Sequence, residues 1–198
     1  MILEDKYNWA ETEVSDINEH IPTLKKYAEG CETVIEMGMR NIVSTWGLMA
    51  GKPKRLISID LYHPQMYGGN INEVYAAAAE CGVHFDFRLE STLTNEIEEC
   101  DFLFIDTLHT YEQLKQELFR HGNKAKKFLG FHDTETFGTK DEVRNERLFG
   151  KGMGFDATEG LNKAISEFMA ANPHWTTEKV FTNNNGLTIL KRTESEEN

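Results

Sequence analysis

The chain has 198 residues, 39% of them hydrophobic and 27% charged, enough to bury the core of one domain. Asp and Glu number 33 against 21 Lys and Arg, a formal charge of −12, which argues against nucleic acid as a partner because phosphate binding draws on clustered Lys and Arg. Three scattered cysteines with no CxxC pair argue against a disulfide framework, and with no leader pattern and no apolar run near ~18 residues the expected setting is the cytoplasm, off the membrane.

Residues 1–20 carry Trp9, Val14 and Ile17 among many acids and read as an amphipathic lead-in that lies on the body of the fold or covers a site. Pro22 suits the first turn of a helix over 22–29 that Gly30 stops. Thr33 to Glu36 is a strand, Gly38 opens the next turn, and Ser44 or Thr45 caps a helix carrying Trp46, Leu48 and Met49. Arg55 to Asp60 is a second strand ending in an acid. Past a loop with Pro64, Gly68 and Gly69, the run 72–81 is helical and stops at Gly82. Val83 to Leu89 alternates as a third strand, followed by Glu90 and Ser91, and a short helix is expected over 95–99.

The four apolar residues Phe102 to Ile105 are too short for a buried helix and read as a strand covered on both faces. It ends in Asp106, and His109 follows. Thr110 and Gln113 form a capping box for a helix with Leu114 and Leu118. An acid and a histidine therefore sit at the carboxyl end of a parallel strand, where ligands bind in open α/β sheets. A fifth strand runs from Lys127 to His132 and Asp133. Residues 138–160, with five glycines, read as a mobile loop able to close over a ligand, with Arg144 and Arg147 facing an acidic group on it. Leu161, Ala164, Ile165 and Phe168 mark a last helix before Pro173. Two strand-like runs around Asn183-Asn-Asn-Gly186 make a hairpin, and residues 193–198 a frayed tail. The expected fold is a single α/β domain over 1–198, a doubly wound, Rossmann-like sheet, mostly parallel with an antiparallel C-terminal hairpin strand.

Acids close four of these strands, Glu36, Asp60, Asp106 and Asp133, and Glu90 follows the third. Converging on one sheet edge, they repel unless a cationic or hydroxyl-bearing ligand offsets them. A dinucleotide fits poorly: the turn after Glu36 holds only one glycine, and Glu36 would face the phosphates. S-adenosylmethionine has the opposite needs, a sulfonium, an ammonium and a ribose diol. Glu36 or Asp106 suits the cationic end, and Asp60, 24 residues after Glu36, the ribose hydroxyls. Gly38 lets the backbone approach the ligand. Ser44 and Ser91 complete the candidate cofactor residues.

These residues resemble the class I S-adenosylmethionine-dependent methyltransferases over roughly 20–192. Val-Ile-Glu36-Met-Gly38, with Ser44-Thr45, is similar to the family's first motif, and Ile-Ser-Ile-Asp60 to its second. Ile-Asp106-Thr-Leu-His109-Thr-Tyr111, Phe-His132-Asp133-Thr-Glu-Thr-Phe137 and Asn-Asn-Asn-Gly186-Leu-Thr-Ile resemble the cephalosporin hydroxylase-like and macrocin-type O-methyltransferase branch. The resemblance implies a seven-stranded sheet whose last strand is antiparallel. It also implies a divalent metal, Mg²⁺ or another, at Asp106 and Asp133, with Asp106 and His109 catalytic and His109 the base. His132 reads as a core histidine bonded to backbone, with a ligand role left open. The expected partner is a small hydroxylated acceptor such as a sugar, glycoside or phenol, and Trp9 leaves a homo-oligomer open. Rival readings are a binding module that has lost catalysis and a metal-dependent hydroxylase, which would draw on His109, His132 and an acid.

Overall fold

A computed structural model describes residues 1–142 and 159–193. Its strands are β1 (Thr33–Met37), β2 (Arg55–Asp60), β3 (His84–Leu89), β4 (Cys100–Ile105), β5 (Ala125–His132), β6 (Trp175–Phe181) and β7 (Leu187–Arg192). They form one sheet in the order β3-β2-β1-β4-β5-β7-β6. β1 to β5 are mutually parallel where they pair, whereas β7 runs antiparallel to both β5 and β6. The helices are α1 (Ile2–Thr12), α2 (Ile21–Ala28), α3 (Val43–Ala50), α4 (Ile71–Cys81), α5 (Tyr111–His121) and α6 (Leu161–Ala171).

Strand side chains alternate between two cores. Phe102 and Phe104 join Val34 and Leu56 beneath α1 to α4, and Leu103 and Ile105 join Ile35 and Ile57 beneath α5 and α6. Covering both faces turns the alternation into unbroken apolar runs. Each of these large side chains, fully or almost fully buried, contributes about 1.5–3 kcal/mol relative to exposure.

Three local expectations change. The 95–99 helix is absent: Arg88 forks onto both oxygens of Glu98, while Lys124 and Arg120 donate to the carbonyls of Ile97 and Asn95, holding the segment as irregular chain. Ser44 and Thr45 do not cap α3, whose N-cap is Ile42 at φ 75°. Only half the capping box of α5 forms. Thr110 accepts from the Gln113 amide N–H, but the Gln113 side chain turns to Glu117 and Thr92. Asp141 accepts the Tyr111 N–H instead.

The lead-in lies on the body of the fold. Leu3, Ala10 and Ile17 are buried, while Trp9 and Val14 stay exposed. It is held by the 183–186 turn: Asn184 accepts from the Glu19 N–H and donates to the Ser15 carbonyl, and Asn185 donates to that of Asp16. Of the 138–160 loop, Gly138, Asp141, Glu142 and Gly160 are described and fastened, Gly160 N–H to Asp141 and Asn162 N–H to the Gly138 carbonyl. Arg144, Arg147 and Gly150, Gly152 and Gly154 lie outside the described residues, as do 194–198 of the tail. Among the described residues no helix is long and apolar enough to cross a membrane.

Candidate active site

At the carboxyl edge of β1, β4 and β5, Asp106, His109 and Asp133 bring ligand atoms within 4.8 Å of one another. Asp106 follows β4, and its N–H is tied to the Met37 carbonyl. Asp133 follows β5 at φ 60°, a left-handed turn. Consecutive strand residues face opposite sides of a sheet; the turn lets His132 and Asp133 both reach the cluster. His109 Nε2 lies 3.3 Å from Asp106 and 2.9 Å from Asp133, and its Nδ1 lies 3.0 Å from Glu142. The Phe137 ring stacks on the imidazole at 4.9 Å and 3°.

Burial disfavours charge on His109, but the carboxylates of Asp106, Asp133 and Glu142 outweigh it and raise its affinity for a proton. His132 is likewise raised against its burial by Asp106 and Asp133. The two imidazoles in turn hold both aspartates below the usual carboxylate range, again against burial. Flanked in this way and with no metal bound, His109 favours the imidazolium form, which has no lone pair with which to act as a base. His132 Nε2 bonds the Asn184 carbonyl at 3.2 Å, as a core histidine would, yet its Nδ1 faces the two aspartates.

The other acids do not converge here. Glu36 is an internal residue of β1, not its end, and is fully buried. Its carboxylate accepts from Ser44 Oγ at 2.5 Å, Thr45 Oγ1 at 2.8 Å and Ser58 Oγ at 2.5 Å, so it faces hydroxyls of α3 and β2 and not a ligand. Asp60 accepts backbone N–H groups from Met39, Arg40 and Tyr62, each at 2.8 Å. It shapes the β1–α3 loop, and its Oδ1 keeps room for one more donor. Glu90 is exposed, and Ser91 accepts from the Leu93 N–H.

Gly38 is required for a reason other than ligand approach: a Cβ there would stand 2.0 Å from the Asp106 carbonyl oxygen. Positive φ recurs at residues 38, 40 and 42, although Arg40 and Ile42 are not glycine. The loop thus keeps a glycine-loop shape with side chains that strain it. A cavity of about 210 Å³ opens beside it, lined by Gly38, Arg40, Ser44, Asp106, His109 and Glu142, with Asp16 and Ile17 closing one side. Arg40 pairs with Asp16 at 2.9 Å. Tyr111 lies apart, bonded to Glu167. Asp16 and Glu142 escaped the sequence reading, and so did the contacts of the asparagine turn. The Asn-Asn-Asn-Gly run announced a turn, but nothing in it says which segments its amides hold.

No model of a known family and no curated protein matches the sequence. Solved structures do match in fold. An O-methyltransferase from Bacillus cereus in complex with SAH has a TM-score of 0.62 at 13% identity, covering 97% of this chain and 90% of that one. The O-methyltransferase TomG from Streptomyces achromogenes, in complex with SAM, gives 0.60 at 14% identity over 98% and 90%. The SAH-bound methyltransferase PaMTH1 from Podospora anserina gives 0.58 at 14% identity over 98% and 88%. This chain, a seven-stranded sheet with its C-terminal hairpin strand antiparallel, shares its fold with these methyltransferase structures.

Proposed function

We propose that the protein is an S-adenosylmethionine-dependent O-methyltransferase acting on a small hydroxylated molecule, a sugar, glycoside or phenol, with a divalent metal held by Asp106, His109 and Asp133. The observation that carries this reading is the cluster of two carboxylates and an imidazole beside the Gly38–Ser44 cavity, on a methyltransferase fold. Its donor set fits a dication, since two carboxylates and an imidazole are common metal ligands.

Asp106 gives the cavity an anionic wall, which suits an ammonium or sulfonium. The cavity is below the ~300 Å³ of a full cofactor pocket and suits the amino-acid end. Asp60 supplies Oδ1 to a ribose hydroxyl while its Oδ2 keeps the Met39 and Arg40 amides in place. When bound, the metal would supply Lewis acidity that lowers the pKa of an acceptor hydroxyl. His109 joins the ligand set in this reading, and serves as a base only where its three carboxylate neighbours are otherwise neutralised. Phe137 fixes the plane of its ring. Asp16 and Ile17 of the lead-in line one side of the cavity.

The test is transfer of a labelled methyl group from S-adenosylmethionine to a panel of sugars, glycosides and phenols, before and after chelation. Transfer to a hydroxyl, lost on chelation and in Asp106→Asn, supports the proposal. Transfer that survives chelation removes the metal from it. Cofactor binding without transfer to any acceptor favours a binding module. Oxygen uptake with ferrous ion and a reductant favours the hydroxylase rival, which gains from His109, His132 and two carboxylates lying together.

A further inference from the structure

The β6–β7 hairpin departs from what a hairpin alone would choose. The Gly186 N–H closes its turn on the Asn183 carbonyl at 2.8 Å, and the two central residues, Asn184 and Asn185, have φ 45° and 68°. Tight hairpin turns with both centres left-handed favour glycine at the second of them, where it costs least. Here glycine stands one position later, at Gly186, and asparagine holds the second centre. Asparagine enters the left-handed region more readily than most residues, yet still at a cost. A side chain kept there at that cost points to a use for its amide.

The amide is engaged at both ends. Asn185 Nδ2 donates to the Asp16 carbonyl at 3.0 Å, while its Oδ1 accepts from Thr136 Oγ1 at 2.8 Å. Its own carbonyl accepts the N–H groups of Glu135 and Thr136 at 2.9 and 3.1 Å. The turn is seated directly on that segment, since a Cβ on Gly186 would stand 2.4 Å from the Glu135 nitrogen. Both segments run on into the proposed site. Asp16 lines the cavity and pairs at 2.9 Å with Arg40, which sits at φ 44° in the β1–α3 loop. Glu135 and Thr136 lie between Asp133 and Phe137, whose ring stacks on His109. One side chain thus joins the lead-in to the segment that follows β5.

We propose that Asn185 is a positioning residue of the proposed cofactor site, fixing the lead-in on the 135–136 segment so that the Asp16 carboxylate is presented to Arg40 at the cavity wall. This rests on the methyltransferase reading above, and adds to it a residue that is not part of the cavity lining. The Asp16 and Arg40 side chains are 40% and 58% exposed, and such a pair has little strength of its own because ordering two side chains offsets the Coulomb gain. Tying down the Asp16 backbone removes part of that ordering cost in advance. Arg40 in turn belongs to the strained loop whose Met39 and Arg40 amides donate to Asp60. The hydrogen bond from Asn185 therefore acts on the cavity through Asp16 and Arg40.

The test measures S-adenosylmethionine affinity by calorimetry in the wild type, Asn185→Gly, Arg40→Gln and the double variant, with urea midpoints alongside. Glycine adopts φ 68° freely, so Asn185→Gly deletes the amide while the backbone carbonyl keeps its bonds to Glu135 and Thr136. The expected loss of affinity in Asn185→Gly is about two- to tenfold, the worth of one hydrogen bond. The double variant should bind no more weakly than the weaker single variant, because both changes break one chain of contacts. Should Asn185→Gly fail to fold, Thr136→Val releases the amide from its other partner and should show the same non-additivity with Arg40→Gln. Losses that multiply in the double variant overturn the proposal. So does a lowered urea midpoint with unchanged affinity, the mark of a turn that only stabilises the fold. In either case wild-type binding leaves the methyltransferase reading standing; a wild type that binds no cofactor overturns both.

Discussion

Glu36 gives the sharpest physical prediction. Burial raises its pKa, three hydroxyl donors oppose that, and the net position is about 7 against an ordinary 4.5. Between pH 4.5 and 7 the folded protein therefore keeps a proton on Glu36 that the unfolded chain has lost. Because the folded state binds more protons in that window, stability falls as pH rises through it and levels off above. At ~1.36 kcal/mol for each tenfold change, the interval amounts to roughly 3 kcal/mol. Glu36→Gln removes the titration while keeping a side chain of the same shape, and the hydroxyls of Ser44, Thr45 and Ser58 can rotate to accept from its amide. The assay is urea unfolding of both proteins at pH 5 and pH 8. Wild type should lose up to roughly 3 kcal/mol more than the variant on going to pH 8. Glu117, another buried acid held upward by burial, is common to both proteins and cancels in the difference. Equal losses in the two proteins would refute the buried, proton-holding description of Glu36.

Other substitutions probe the neighbouring contacts. Ser58→Ala removes one donor from Glu36 and should cost about 1–3 kcal/mol at pH 8, where the carboxyl is ionised, and less at pH 5; a uniform cost would contradict this. Gly38→Ala forces a Cβ onto the Asp106 carbonyl and should destabilise by more than about 3 kcal/mol, against about 1 kcal/mol for Gly82→Ala, which shares a positive φ but meets open space. Urea midpoints in the opposite order would show the loop packed otherwise. Asn184→Ala strips partners from Glu19 N–H and the Ser15 carbonyl, so limited proteolysis should cut within 13–20 sooner than in wild type. Unchanged cleavage would free the lead-in from the turn.

The strands were legible because burial on both faces makes them continuous apolar runs, and the helices because Pro22, Gly30, Gly82 and Thr110 punctuate them. The helix expected over 95–99 failed for a reason no local pattern carries. Arg88, Arg120 and Lys124, from elsewhere in the fold, hold that segment's side chains and carbonyls. The strand-end acids were legible as a group but not one by one. Whether an acid points off the sheet edge or into a core depends on its register. Glu36 pairs with Ser58 across β1 and β2, so its carboxylate meets hydroxyls, while Asp106 and Asp133 lie beyond the last paired residues and reach each other. Ser44 and Thr45 looked like caps because a hydroxyl before a helix is usually one. Here a buried carboxylate outbids the free amides of the first turn. Glu142 falls in a stretch without periodicity, and its contact with His109 is set only by the fold.

The proposed function requires that the carboxyl edge of this sheet bind S-adenosylmethionine, which calorimetric titration of the purified protein measures. Saturable binding of one cofactor per chain at micromolar affinity is expected, weakened at least about tenfold when Asp106→Asn removes the anionic wall of the cavity. No heat of binding at millimolar cofactor, with or without a divalent metal, would contradict it and leave Asp106, His109 and Asp133 to another ligand.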